Sequence, residues 1–176
     1  MLTRPLEAIG ASVQSLLPSI DKKGNLIRDS WDRLSAMPGG KAIFSRVVGI
    51  TAPYTGSIGA SVIELRRGFS RTELADRRKV RNHLDCVHAI ALANLAELTG
   101  NVAVAYTLPD DARFIVAGMS IDYLKKARGT ITGTSTCPLF SSAEKREYTI
   151  EVSLTNGAGD EVARAILETL VGPKKR

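Results

Sequence analysis

Residues 86–99 read Cys-Val-His-Ala-Ile-Ala-Leu-Ala-Asn-Leu-Ala-Glu-Leu-Thr, which is apolar almost all the way round when wound into a helix. Such a helix has to be enclosed on every side, because any uncovered face leaves apolar surface in water. Gly100 and Asn101 follow as its expected stop. The rest of the chain must supply the enclosure, and this limits the available folds more than any other feature.

The segments around the helix read as strands. Ile63 and Leu65 alternate with Glu64 and Arg66, and a second extended run covers residues 71–81. After the helix, extended segments are expected at about 101–108, 112–125, 130–137 and 146–155, with turns at Pro109-Asp110-Asp111 and Asn156-Gly157. Residues 160–171 are ambiguous: Val162, Ala165, Ile166, Thr169 and Leu170 fit helical spacing, and local propensity alone gives a helix. Upstream, Leu6, Ile9, Val13, Leu16 and Leu17 recur at helical spacing until Pro18. A second helix is expected at about 25–36, with Leu26, Ile27, Trp31 and Leu34 on one side, closed by Pro38-Gly39-Gly40. A short third segment covers 41–48. These amphipathic helices are expected to pack against the domain's own sheet.

The class is therefore α+β, with one sheet wrapped around one central buried helix. The expected organisation is a helical extension at 1–57, the wrapped domain at 58–171 and a short basic tail at 172–176. With 176 residues, 44% hydrophobic and 24% charged, the chain suits a single domain with a real core. Aromatics at 5% leave that core to Leu, Ile, Val and Ala. No apolar run of membrane-spanning length stands out, and Pro5 and Glu7 interrupt any leader-like start. Cys86 and Cys137 are far apart and have no metal-type spacing, so reduced thiols in the cytoplasm and no metal are expected.

The net charge of +6 favours an anionic partner: nucleic acid, acidic lipid or a polyanion such as coenzyme A. Much of the excess lies in Arg66, Arg67, Arg71, Arg77, Arg78, Lys79 and Arg81, mixed with Glu64, Glu73 and Asp76. That mixture reads as a solvated strand face. Only Phe69 offers a base-stacking ring there, which argues against nucleic acid.

Three polar side chains interrupt the apolar helix, namely His88, Asn94 and Glu97, and Asn82, His83 and Asp85 precede it. A carboxylate in such a helix is costly unless it is paired or used, which singles out Glu97. The plain alternative is a Glu97 near the helix end, partly exposed. Asn94, three residues earlier, is placed to hydrogen-bond it. His88 and Glu97 are nine residues apart, about half a turn out of phase at about 100° per residue, so they point to opposite sides. If both serve one reaction, they come from different subunits of a dimer. Neither a nucleophilic Cys86 nor a metal set of His83, His88 and Asp85 has a supporting pattern.

The segment Asn82-x-x-Asp85-x-x-His88-Ala89-Ile90, followed by Leu95-Ala96-Glu97, resembles the signature Asn-x-x-Gly-x-x-His-Gly-Gly…Leu-Ala-Asp/Glu. That signature belongs to hotdog-fold thioesterases related to 4-hydroxybenzoyl-CoA and phenylacetic-acid-pathway enzymes. Tyr123-Leu-Lys125-Lys126-Ala-Arg128-Gly129 is similar to the family's later strand-turn-strand motif. Arg-Asn-His-Leu at 81–84 and Tyr-Leu-Lys-Lys-Ala-Arg-Gly-Thr at 123–130 resemble an uncharacterised bacterial branch of the family. The resemblance covers about residues 58–171. It implies a hotdog fold, an antiparallel sheet around the central helix, subunits joined edge to edge as a homodimer or dimer of dimers, and residues 160–171 as the last strand.

The resemblance also implies roles. Glu97 is the carboxylate acting as nucleophile or general base, and Asn82 orients the thioester or water. The Ala89 N–H, at the helix start, stabilises the oxyanion, and His88 lies near the thioester. Asp85, Ile90 and Tyr123 line the substrate site, and Lys125, Lys126 and Arg128 are candidates for the coenzyme A phosphates or for ordinary loop charge. The substrate is an acyl-CoA or another acyl thioester, with coenzyme A entering as part of it and no separate cofactor. Asp85, Ala89 and Ile90 stand where the family has glycines. Ala89 keeps its N–H, Ile90 narrows the approach, and Asp85 either adds negative charge or caps the helix. Two other readings stay open: a non-catalytic acyl-CoA or fatty-acyl binding protein, and an enoyl-thioester hydratase using His88 and Asp85.

Overall fold

The computed structural model describes residues 24–175. The expected first helix, with Leu6, Ile9, Val13, Leu16 and Leu17, lies outside the described residues. Strands β1 (Ser61–Arg66), β2 (Phe69–Leu74), β3 (Ala112–Tyr123), β4 (Ile131–Thr136), β5 (Arg146–Thr155) and β6 (Glu161–Pro173) form one antiparallel sheet in the order β1-β2-β4-β5-β6-β3. Helices α1 (Leu26–Leu34), α2 (Gly40–Thr51) and α3 (Pro53–Gly56) precede β1. Helix α4 (Ala89–Thr107) packs against all six strands, so the sheet curls around it. This is the hotdog arrangement. Alternate residues face the helix: Ile150, Val152 and Leu154 on β5, and Ala165, Leu167 and Val171 on β6, all at most 1% exposed.

Three sequence expectations change. First, α4 runs on through Gly100 to Thr107, so 101–108 is helix and not strand. Gly100 marks a close contact, not a stop: a Cβ there would lie 2.3 Å from Leu167 Cδ1. Val102, Ala103 and Val104 extend the buried surface, and Pro109 follows the last turn. At 19 residues α4 is long and apolar enough to cross a membrane, contrary to the expectation of no such run, and 61% of that stretch is buried inside the protein. Second, residues 160–171 are strand, as the resemblance implied, since pairing with β5 and β3 overrides local helical spacing. β6 continues through Gly172 and Pro173, which pair with Arg113 and Ala112, so the tail is shorter than expected. Third, β2 stops at Leu74; a 3-10 turn at Arg78–Val80 follows where 71–81 was expected to stay extended.

The helix is fastened to the sheet by hydroxyls. Thr99 Oγ1 donates to the Leu95 carbonyl at 2.6 Å, so in its 2.6 Å contact with Thr72 Oγ1 it is the acceptor. Ser70 Oγ donates to the Thr99 carbonyl at 2.6 Å. Ser70, Thr72 and Thr99 are all fully buried, so each hydroxyl needs these partners. Gly133, paired with Thr72 in the ladder, makes room: a Cβ would lie 2.5 Å from Thr99 Oγ1 and 2.9 Å from Thr72 Oγ1.

The preceding helices cover the flank of α4 beside β1. Trp31, Phe44, Val62, Leu65, Leu98 and Val102 form a second core, with Trp31 and Phe44 edge to face at 5.1 Å. Asn25 caps α1 by accepting from the Arg28 N–H at 2.9 Å, while its Nδ2 donates to the Ala105 and Leu108 carbonyls at 2.7 and 3.0 Å. One side chain thus starts α1 and satisfies the end of α4. Asp76 ties the two segments beside the α4 N-terminus, accepting from Arg81 Nε at 2.7 Å and the Gly129 N–H at 2.8 Å. The Arg81 hydrogen bond, opposed by partial burial, leaves its carboxyl below the usual aspartate range.

Two measurements check this account. Gly133→Ala is expected to destabilise by about 1–3 kcal/mol in urea denaturation, because the buried hydroxyl clamp must open to admit the methyl group. Asp76, whose folded pKa is depressed, stabilises the fold above its unfolded pKa and loses that effect as pH falls through the folded value. The stability gap between wild type and Asp76→Asn should therefore be widest near neutrality and shrink steadily below about pH 4.

Candidate functional site

The N-terminus of α4 is built by a tight approach loop. Asn82 Oδ1 accepts from the Leu84 and Cys86 N–H groups at 2.9 and 3.2 Å, and the Asn82 N–H donates to the Cys86 carbonyl at 2.8 Å. Asn82 thereby folds residues 82–86 onto themselves, and its Nδ2 has no acceptor among the described residues. Asp85 has φ 53°, and no other non-glycine residue among those described has positive φ. That conformation suits glycine and is tolerated by Asp, which explains the family glycine at this position. Asp85 does not cap the helix, correcting one expected role. Its side chain is 87% exposed, with Arg81 at 3.8 Å.

The cap is His88. The Ile90 N–H donates to His88 Nδ1 at 3.1 Å, and the His88 backbone is extended (φ −63°, ψ 140°). His88 therefore precedes the helix and is exposed, so the half-turn argument relating it to Glu97 does not apply to it. The Ala89 N–H, first of the helix, has no acceptor among the described residues. It sits at the positive end of a 19-residue helix.

The second motif comes alongside. Tyr123 Oη donates to the Ala89 carbonyl at 3.1 Å, and burial pushes its hydroxyl pKa up. The Val87 N–H donates to the Ala127 carbonyl at 2.8 Å, and Arg128 reaches the Asp85 and Leu84 carbonyls at 3.4 and 3.5 Å. Lys125 is held by Asp160 at 2.6 Å, an ion pair that keeps the Asp160 carboxyl below its usual range. Lys126 is exposed. The structure thus brings Asn82, Asp85, His88, Ala89, Ile90, Tyr123 and Arg128 together.

Glu97 stands apart. It lies eight residues beyond Ala89, about 12 Å along the helix axis. It is mid-helix and half-buried, and among the described residues nothing donates to or pairs with its carboxylate. Ile90, Ala93, Glu97, Asn101 and Ala105 form the one stripe of α4 that neither the sheet nor the helices fully cover. Asn101 was expected at the helix stop and the start of an extended segment; instead it sits one helical turn beyond Glu97, with Oδ1 buried and without a donor among the described residues. Beside the stripe runs β3, the last strand of the sheet, with Ile115 64%, Met119 39% and Tyr123 47% exposed.

Asn94 does not hydrogen-bond Glu97, contrary to expectation. Its Nδ2 donates to the Tyr54 carbonyl at 3.0 Å. It borders a cleft of about 240 Å³ between α3 and α4, lined also by Tyr54, Ser57, Ile58, Lys79, Val80, Arg81, His88, Ile90 and Ala91. Sequence reasoning missed this cleft because its walls come from three distant segments. Among the described residues no group of three His, Cys, Asp or Glu side chains is arranged to hold a metal.

Comparison with known proteins gives a family and a fold. Residues 40–171 match the family described as a domain of unknown function, DUF4442. No curated protein matches the sequence. A structural-genomics crystal structure is similar at 29% identity and TM-score 0.73, covering 84% of this chain and 98% of its own. A Pseudomonas aeruginosa protein of unknown function, named "Probable Thioesterase", is similar at 22% identity and TM-score 0.68, covering 78% of this chain and 97% of its own. A thioesterase from Haemophilus influenzae shares the fold at 12% identity and TM-score 0.61, with 70% and 85% covered. The chain therefore belongs to the DUF4442 family and carries the hotdog fold of these thioesterases.

Proposed function

We propose that the protein hydrolyses acyl-CoA thioesters as a homodimer, with each site shared between subunits. The observation that carries this reading is the division of the site. The unpaired Ala89 N–H and the unpaired Glu97 carboxylate are about 12 Å apart along one helix, and Glu97 lies on the uncovered stripe beside the free β3 edge. A second copy laid edge to edge along β3 covers the exposed Met119 on the helix-facing side of the strand and turns each stripe toward the other. Each Glu97 then faces its partner's helix N-terminus. A long apolar edge strand left open is an aggregation hazard, which favours such pairing.

In this reading the thioester carbonyl lies at the Ala89 N–H, where the helix dipole steadies the developing oxyanion. Asn82 Nδ2 orients the thioester or the water. Glu97 takes a proton from water as the water oxygen attacks the carbonyl carbon; collapse breaks the C–S bond, and the proton passes to the departing thiolate. Alternatively Glu97 attacks the carbonyl directly, breaking the C–S bond to give an acyl anhydride and coenzyme A thiolate; water then hydrolyses the anhydride, freeing the acid and restoring Glu97, and the thiolate takes up the proton released. Lys126 and Arg128, together with Lys125 when it leaves Asp160, hold the phosphates. Coenzyme A arrives with the substrate, so no other cofactor is needed. Two unpaired thiols fit a cytoplasmic setting. Asp85 is solvent-facing with no bond to His88, which favours hydrolysis over the hydratase reading.

Incubation with a panel of acyl-CoAs should release free thiol, and Glu97→Gln should slow release by about 10²–10⁴-fold. Binding without turnover would favour the non-catalytic alternative. Ala89→Pro removes one N–H at a helix position that accepts proline, and the extended His88 backbone suits the residue before it. It should fold normally and lose about 10²–10³-fold in kcat. Co-expressing Glu97→Gln with Ala89→Pro should restore about a quarter of wild-type activity, through mixed dimers with one intact site, whereas sites confined to one chain would give no recovery. Asp85→Gly should leave stability unchanged or raise it by up to about 1 kcal/mol in thermal unfolding, because the left-handed backbone is retained at lower strain.

A further inference from the structure

Helix α2 has apolar side chains on two faces, and only one face is covered. Phe44 and Val48 enter the second core beside Trp31, while Ile43, Val47 and Ile50 point away from it and are 52%, 39% and 48% exposed. At about 100° per residue these three fall within one band about 60° wide, and Arg46 follows about 40° beyond Ile50. Between Asp32 and Glu64 the chain carries Arg33, Lys41 and Arg46 but no carboxylate. Arg46 is exposed and has no acidic partner among the described residues. Helix α3 lies close against α2, since a Cβ at Gly56 would be 2.4 Å from the Gly49 carbonyl oxygen. Just beyond α3, the Ile58 and Gly59 carbonyls accept from Arg77 at 2.7 and 3.2 Å. Those bonds hold the turn at Arg78–Val80 beside this segment, and its exposed Arg78 and Lys79 also lack acidic partners among the described residues.

We propose that this face docks the protein on an anionic lipid bilayer, with α2 lying in the plane of the surface. Ile43, Val47 and Ile50 enter the headgroup layer, and Arg46, Arg78 and Lys79 meet the acidic headgroups. Charge decides among the occupants. A second copy would set one cationic, carboxylate-free face against another and bring Arg46 toward its own equivalent. Residues 1–23 carry Arg4, Lys22 and Lys23 against Glu7 and Asp21, so they bring no excess of negative charge either. An acidic bilayer surface offers both things the face is made to meet, apolar depth and negative charge. A short apolar band with a few cations gives a reversible contact, far weaker than insertion of a spanning helix. None of the residues assigned to thioester hydrolysis takes part, so the inference stands apart from that reading.

The test is co-sedimentation of the full chain with vesicles of phosphatidylcholine alone and with vesicles containing about one third phosphatidylglycerol. The anionic vesicles should bind about tenfold more tightly or better, and raising salt from about 0.1 to about 0.5 M should remove most of that gain. Ile43→Ser combined with Ile50→Ser should weaken binding to anionic vesicles about tenfold or more, and Arg46→Glu about threefold or more. Leu139→Ser removes an exposed apolar side chain from another part of the chain and should change binding by less than about twofold. All four positions are exposed, so these variants should fold. An environment-sensitive dye on Val47→Cys should shift to the blue only when anionic vesicles are added; Cys86 and Cys137, buried and half-buried, compete poorly for it. No binding, equal binding to neutral vesicles, or losses no greater than that of Leu139→Ser would overturn the proposal. A dye already shielded before vesicles are added would also overturn it, because residues 1–23 or a second copy would then cover the face.

Discussion

Thr99 joins the central helix to the sheet, and much of the molecule is arranged around that contact. Its hydroxyl gives a proton to the Leu95 carbonyl and takes one from Thr72, while its carbonyl takes one from Ser70. These are polar groups at the centre of an apolar enclosure, where an unmet partner is expensive. The geometry works only because two glycines flank it. Gly133 lets β4 pass under the hydroxyl pair, and Gly100 lets α4 lie directly on Leu167. With the helix axis held at this depth, its N-terminus meets the segment after β3, and one stripe stays beyond the sheet's reach.

The same contact explains what the sequence conveyed and what it did not. An apolar helix inside a wrapped sheet was legible because only that arrangement covers most of the apolar surface of residues 86–99. The helix length is not legible in the sequence, because Gly100 reads as a terminator locally, whereas it serves close packing on β6. Residues 160–171 have helical spacing in Val162, Ala165, Ile166 and Leu170, yet the chain is strand between two long neighbours. Long-range pairing decides such cases, and no local window contains it. At the site, the polar types and their spacing were visible, but their bonds were not. Asn94 bonds Tyr54, a residue forty positions away, and His88 provides the cap that was one of the two roles open to Asp85.

Asp85 and Ile90 take on different meanings once the backbone is known. The left-handed φ of 53° at Asp85 shows that a glycine at this position serves loop conformation, so replacing it adds strain without necessarily altering the chemistry. Ile90 is different. Its N–H is already bonded to His88, and its side chain stands at the mouth of the cleft. The first departure bears on the cost of building the loop, and the second on the shape of the cleft.

Enclosure by a single sheet leaves the helix with two kinds of incomplete surface. One is the stripe through Glu97 and Asn101, bordered by the unpaired edge of β3; the other is the notch at Asn94, bordered by α3 and the turn at Arg78–Val80. A carboxylate and two buried amide oxygens without partners among the described residues fall on these surfaces; facing the sheet, the Ser70, Thr72 and Thr99 hydroxyls are satisfied, and the buried Thr169 hydroxyl on β6 is not. Folding requirements account for the satisfied set. The unsatisfied set costs stability. The polar groups left over on the stripe and at the notch are thus ones that the packing of helix on sheet does not itself explain.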